Sequence, residues 1–137
     1  LIRNKNITVH IESKEIVKAY FDEDRIFQVI TNLVSNATKF CPEKEGLITI
    51  QIFEKEDFIR TLVYDNGKGI NQNDFEAIFE KFYQSTNQNI KKPVGSGLGL
   101  AICKQIIDHH KGKIWAQASV KGACIVFALP KNKFTEN

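Results

Sequence analysis

Asn32-Leu33-Val34-Ser35-Asn36-Ala37-Thr38-Lys39-Phe40 closes a stretch in which Ile26, Val29, Ile30, Leu33, Val34 and Ala37 recur at spacings of three and four. That period belongs to a helix with one apolar stripe turned to a core. Asp22 or Asp24 can cap it, which predicts a helix running to about Lys39. At 100° per residue, Gln28, Asn32, Ser35, Asn36 and Lys39 fall within roughly a 100° arc beside the stripe. Two carboxamides one turn apart, with a lysine a turn further, can turn oxygens toward a cation and an ammonium toward phosphate. Oxygen ligands suit Mg²⁺, which is usually held by few protein groups together with substrate phosphates. The wet face of an ordinary helix offers the same residues, so this arc alone decides nothing.

Working outward, residues 7–11 alternate as a short strand and residues 16–21 read as a second, weaker one. Pro42 and Gly46 mark a loop. Two strand-like runs follow, 47–53 and 58–64, joined by the charged turn Glu54-Lys55-Glu56-Asp57. A short helix is expected over 73–80, a polar mobile loop over 84–96, a helix over 98–110, and closing strands over 113–118 and 122–129. The tail from Lys131 is charged and expected to fray. Strands in pairs, with helices between the pairs, predict an α/β (α+β) two-layer sandwich with a mixed sheet.

The chain has 137 residues, one domain's length. Hydrophobic residues at 42% and charged residues at 26% exclude disorder, collagen and coiled coil. No apolar run approaches the ~18 residues of a membrane span, and no leader opens the chain. A net charge of +3, from 19 basic and 16 acidic residues, is too small to argue for nucleic acid. There is no Met, even at position 1, which predicts a piece of a longer protein. Cys41, Cys103 and Cys124 are odd in number and form no C-x-x-C pair, which argues against structural zinc and against a disulfide framework. Reduced thiols in a cytosolic domain are the expectation.

Two further stretches carry chemistry. Asp65-x-Gly67-x-Gly69 follows a strand directly. A carboxylate there can accept from an exocyclic amine while the glycines let backbone approach a flat ring. Gly95-Ser96-Gly97-Leu98-Gly99-Leu100-Ala101 opens a helix, where backbone N–H groups and the helix N-terminus favour an anion. Its G-x-G-x-G spacing after a polar loop is neither the Rossmann fingerprint nor a P-loop. Each has a plain alternative, a glycine-rich turn or a flexible hinge. Once each in one small domain, the three together describe a pocket for a magnesium-bound purine nucleotide.

These stretches carry a family resemblance. Residues 32–40 resemble the N box of the bacterial sensor histidine kinases, and Asp65-Asn66-Gly67-Lys68-Gly69-Ile70 their first glycine box. Phe79-Glu80-Lys81-Phe82-Tyr83 resembles their F box, Gly95 to Leu100 their second glycine box, and Gly122 to Pro130 their closing strand. The resemblance spans 7–130 and implies one catalytic and ATP-binding domain over 1–130, with 131–137 as its tail. The implied fold is the Bergerat type, a five-stranded mixed sheet packed on about three helices. Asn36 would then ligate Mg²⁺, with Asn32 and Lys39 completing the catalytic set and Lys39 on phosphate. Asp65 would bind the adenine amino group, with Gly67, Gly69, Ile70 and Phe40 around it. Residues 84–96 would form the ATP lid, anchored by Phe79 and Phe82 with Tyr83 beside them. Gly95, Ser96, Gly97, Leu98, Gly99 and Leu100 would form the phosphate-binding hinge. Cys124 stands where a Thr near the adenine is usual.

The resemblance also separates a kinase from the related hydrolases, which carry a Glu as general base where this chain has Asn32. A carboxamide cannot take a proton near neutral pH, which favours transfer over hydrolysis. None of His10, His109 and His110 lies in a His-Glu helical segment of the kind the family phosphorylates. His10 reads as a strand residue, and an imidazolium at His109 or His110 would complement a helix C-terminus. The implied partners are therefore a separate phosphoacceptor helical hairpin and a downstream response regulator, with no nucleic acid and no membrane contact by this stretch. A monomeric cytoplasmic domain is expected, whether or not the parent is anchored in the inner membrane. Three departures from the family pattern stand: Gln84 where Arg is common, Cys124, and Lys111-Gly112 in place of Gly-Gly. They keep two alternatives open, a degenerate nucleotide-binding scaffold that regulates a partner and a serine-directed kinase of the same superfamily.

Overall fold

The structure is a computed structural model and describes residues 6–14, 17–83 and 97–132. The chain runs β1 (Ile7–Glu12), α1 (Glu23–Phe40), β2 (Gly46–Lys55), β3 (Phe58–Asp65), two 3₁₀ turns (Gln72–Asp74 and Ala77–Phe79), α2 (Gly99–His109), β4 (Lys113–Gln117) and β5 (Cys124–Pro130). The five strands lie in the order β1-β2-β3-β5-β4. β1 and β2 are parallel, with α1 as their crossover, and every other pair is antiparallel. This is the expected two-layer sandwich. Among the described residues the helical layer holds two α-helices and the two short turns, close to the three helices expected.

Asp22 caps α1 as expected, its Oδ1 accepting from Arg25 N at 3.1 Å. The apolar stripe buries Ile26, Val29, Leu33 and Ala37 against Ile48, Ile50, Val63, Ile125 and Phe127 of the sheet. The β2–β3 hairpin turns at Glu56 and Asp57, both at positive φ (51° and 65°), the geometry that matches strand twist even without glycine. Side chains alternate along the strands, so Leu62, Cys124 and Val126 form a smaller cluster with Tyr64 and Trp115 on the face away from the helices.

Two expectations change. Residues 17–21 form no strand and pair with neither edge of the sheet; Ala19 alone reaches the core, while Tyr20 and Phe21 are exposed. Residues 73–80 form 3₁₀ turns rather than an α-helix. Asn71 Oδ1 accepts from Asn73 N at 3.0 Å and caps the first of these turns, and each turn is only three residues long, in a segment too short to nucleate a longer helix well.

α1 and α2 run antiparallel, and their cross-helix bonds track that register. Asp22 N donates to His110 Nε2 at 3.0 Å, the Cys103 thiol donates to Val29 O at 3.7 Å, and Asn32 Nδ2 lies 3.5 Å from Gly99 O. His110 Nε2 is an acceptor, so the proton sits on Nδ1, which meets Ile106 O at 2.8 Å. Cys41, Cys103 and Cys124 are buried and form no disulfide with one another.

Candidate functional site

The site grows from the end of β3. Asp65 pairs with Ile48 across the hairpin and with β5 through Asp65 N to Ala123 O at 3.0 Å. Its side chain points to the helix side and is only 6% exposed. Oδ1 accepts from Gly67 N at 2.8 Å and from Ala123 N at 3.3 Å, and neither bond uses Oδ2. Burial pushes the carboxyl above its ordinary range, and these two N–H groups pull it part of the way back.

The glycines around Asp65 are there because backbone passes too close for a side chain. A Cβ on Gly122, at φ +80°, would lie 1.9 Å from Asp65 O, and one on Gly67 would lie 2.1 Å from Phe40 O. Gly69 faces the Gly122 carbonyl, and Ile70 packs on the main core. The glycine loop is thus wedged between the carboxyl end of α1 and the β4–β5 connection. Gly122→Ala is expected to lower stability by about 3 kcal/mol or more, since both the backbone angle and the contact oppose it. A thermal melt matching the parent's would show that the connection yields freely.

The other end of the site is the start of α2. Leu98 supplies no side-chain cap, and a Cβ on Gly99 would meet nothing within 4 Å. Leu98 offers the first N–H groups of the helix no side-chain acceptor, and a helix N-terminus suits an anion. Asn32 meets this turn at Gly99 O. Asn36, one turn further along α1, is half-buried, and its carboxamide has no partner among the described residues. Lys39 is exposed in the last turn of α1, Phe40 ends the helix, and Leu100 packs on the core. A half-buried carboxamide without a partner among the described residues, one turn along α1 from the contact of Asn32 with Gly99, fits a hard cation held mainly by phosphate oxygens.

Not every expected residue joins this arrangement. Cys124 belongs with Leu62 and Val126 on the far face of the sheet; the residue beside the Asp65 carboxylate is Ala123, through its backbone N–H. Burial pushes the Cys124 thiol up to about 11, with a hydrogen bond from Tyr64 acting against that. Phe79 is a core residue, whereas Phe82 is 69% exposed at a φ of +62°, so the two do not share one anchoring role. Tyr83 is partly buried against the core. Phe82 N donates to Gly97 O at 2.8 Å, which joins the chain on either side of the expected lid. Residues 84–96, with Gly95 and Ser96, lie outside the described residues.

The model of the histidine kinase-, DNA gyrase B-, and HSP90-like ATPases matches residues 21–133. The chain belongs to that family. Among curated relatives it is 40% identical over 119 residues to the sensor histidine kinase WalK of Bacillus subtilis, an alignment covering 85% of this chain and 19% of WalK. The solved catalytic domain of the histidine kinase ThkA superposes with a TM-score of 0.76 at 33% identity, covering 92% of this chain and 80% of that one. ThkA has also been solved in complex with the response regulator TrrA, with a TM-score of 0.70 and 31% identity over 95% of this chain and 35% of that one. Full-length ShkA in complex with AMPPNP gives a TM-score of 0.76 at 26% identity, over 91% of this chain and 26% of ShkA. The chain thus spans about a fifth of the length of WalK.

For an ATPase domain of this family, the sequence motifs lead to Asn32, Asn36, Asp65 and Gly99, and the fold brings them to one side of the sheet. One contributor carries no such signal: Ala123 acts through a peptide N–H that any residue would supply. Asn66 lies inside the Asp65–Ile70 motif, but its bonds to Glu45 and Leu47 are tertiary and not written there. No helix among the described residues is long and apolar enough to cross a membrane.

Proposed function

We propose that this domain binds MgATP and transfers its γ-phosphoryl group to a histidine on a separate helical hairpin, as part of a sensor histidine kinase. The observation that carries this reading is the pairing of two groups on one face: the Asp65 carboxylate with both protein bonds on Oδ1, and the Asn36 carboxamide beside the open start of α2. Oδ2 of Asp65 would accept from the adenine amine. The N–H groups of α2 and the Lys39 ammonium would receive the phosphates. Asn36 would hold Mg²⁺, which neutralises phosphate charge when bound. Asn32 is no base, and its Nδ2 is turned to Gly99 O, so water at the phosphate would not be activated. Transfer of this kind needs positioning and charge neutralisation more than covalent help from the protein.

The acceptor would come from elsewhere. His10 lies on edge strand β1, 3.2 Å from Glu12, and His109 and His110 sit at the end of α2 far from Gly99. A phosphoacceptor hairpin and then a response regulator are the partners this chemistry asks for, and the ThkA–TrrA complex supports the second. Calorimetric titration with ATP, with and without Mg²⁺, followed by supply of hairpins in trans, tests the reading. Magnesium-dependent binding with acid-labile, base-stable phosphate on the hairpin is expected. A folded sample that binds no nucleotide would leave the scaffold alternative, and acid-stable phosphate would point to a hydroxyl acceptor.

A further inference from the structure

β3 leaves the sheet at Asp65. Its backbone register with β2 ends at the pair of Ile48 and Asp65, yet the backbone groups of β2 continue to Leu47 and beyond to Glu45. The side chain of Asn66 takes over there. Its Oδ1 accepts from Leu47 N at 2.8 Å, and its Nδ2 donates to Glu45 O at 2.9 Å. A carboxamide carries the acceptor and donor of a peptide unit, so this side chain supplies the rung that the backbone no longer provides. It also secures Glu45, whose φ of 59° lies in the left-handed region that a side chain disfavours. Gly67, next in the chain, is pressed against Phe40 O while donating to Asp65 Oδ1. The backbone on both sides of Asn66 is therefore in contact with the adenine acceptor assigned above.

We infer that Asn66 is a positioning residue for base recognition: by tying the loop to Glu45 and Leu47, it fixes the direction of the Asp65 carboxylate. It thereby sets the discrimination between a purine that carries an exocyclic amine and one that does not. The inference rests on the reading of Asp65 as the adenine acceptor. Aspartate at 66 would keep the bond from Leu47 N but would set a carboxylate against Glu45 O. Alanine would lose both bonds.

The test compares titrations of ATP and of inosine triphosphate, whose base has a carbonyl in place of the amine, in the same Mg²⁺ buffer. Wild type, Asn66→Ala and Asn66→Asp are measured, each with a thermal melt. Wild type is expected to prefer ATP. Asn66→Ala should reduce that preference by about five- to tenfold, the scale of one or two lost hydrogen bonds. Asn66→Asp should fall between the two. A lower melting temperature alone cannot change the ratio, because both nucleotides bind the same folded population. A folded Asn66→Ala protein with the wild-type ratio overturns the inference. If the alanine variant does not fold, an unchanged ratio in Asn66→Asp overturns it. A wild type with no preference for ATP over inosine triphosphate overturns instead the assignment of Asp65.

Discussion

Asp65→Asn loses ATP affinity by about a hundredfold or more and keeps its fold, because a site built around one hydrogen bond discriminates strongly against its loss. The asparagine can keep Oδ1 for Gly67 N and Ala123 N, the two bonds that hold the side chain in place. Its Nδ2 then replaces Oδ2, so a donor faces the donor on adenine. Stability should move the other way. Burial raises the Asp65 pKa from 3.8, so the native state binds this proton more readily than the unfolded state. Wild-type stability therefore declines as pH rises from the ordinary carboxylate value through the raised one, and the cost persists at neutral pH. The substituted asparagine carries no such charge. The variant should melt at or above the wild-type temperature at neutral pH, and that advantage should disappear below the ordinary value. Wild-type ATP affinity should itself fall on acidification through the same window, since a protonated carboxyl no longer offers both oxygens as acceptors. Calorimetry and melts at acid and neutral pH check both halves. Unchanged affinity would remove Asp65 from the site, and a marked loss of stability at neutral pH would contradict the burial cost.

What was legible in the sequence is what local chemistry dictates. The stripe of α1 and its Asp22 cap are written at helical spacing, and the β2–β3 hairpin is written as two alternating runs around a charged turn. The motif stretches led to Asn36 and Asp65 because both roles demand a particular side chain. Pairing was harder to read. Residues 16–21 have a strand-like pattern, but that is a local preference, and joining a sheet needs a partner strand that the local sequence does not name. The 3₁₀ turns over Gln72–Asp74 and Ala77–Phe79 occupy a segment too short to nucleate a longer helix well, which helical spacing does not record. The displacement of Cys124 has a simpler cause. Successive strand residues face opposite ways, so Cys124 and Ala123 lie on opposite sides of the sheet. Ala123 holds the inner position, and its contribution is a peptide N–H. The bond of His110 is likewise unreadable locally, since its partner Asp22 is 88 residues away.

Asn36→Ala should lower phosphotransfer by roughly a hundredfold or more, the scale of several kcal/mol that a metal contributes to charge stabilisation. It should leave the fold intact. Asn36 sits on the polar arc of α1, its carboxamide has no partner among the described residues, and the buried neighbours Leu33 and Ala37 are untouched. Alanine is also the better helix former, so stability should hold or rise slightly. The effect on binding separates this end of the site from the other. Asn36→Ala should still bind ATP without Mg²⁺ about as well as wild type does, since Asp65 and the start of α2 remain, while the gain that Mg²⁺ gives the wild type disappears. Asp65→Asn should weaken binding of ATP whether or not Mg²⁺ is present. Titrations of both variants with and without the metal, alongside transfer rates to a hairpin supplied in trans, distinguish the two ends. Full magnesium dependence in Asn36→Ala would assign the metal to another ligand.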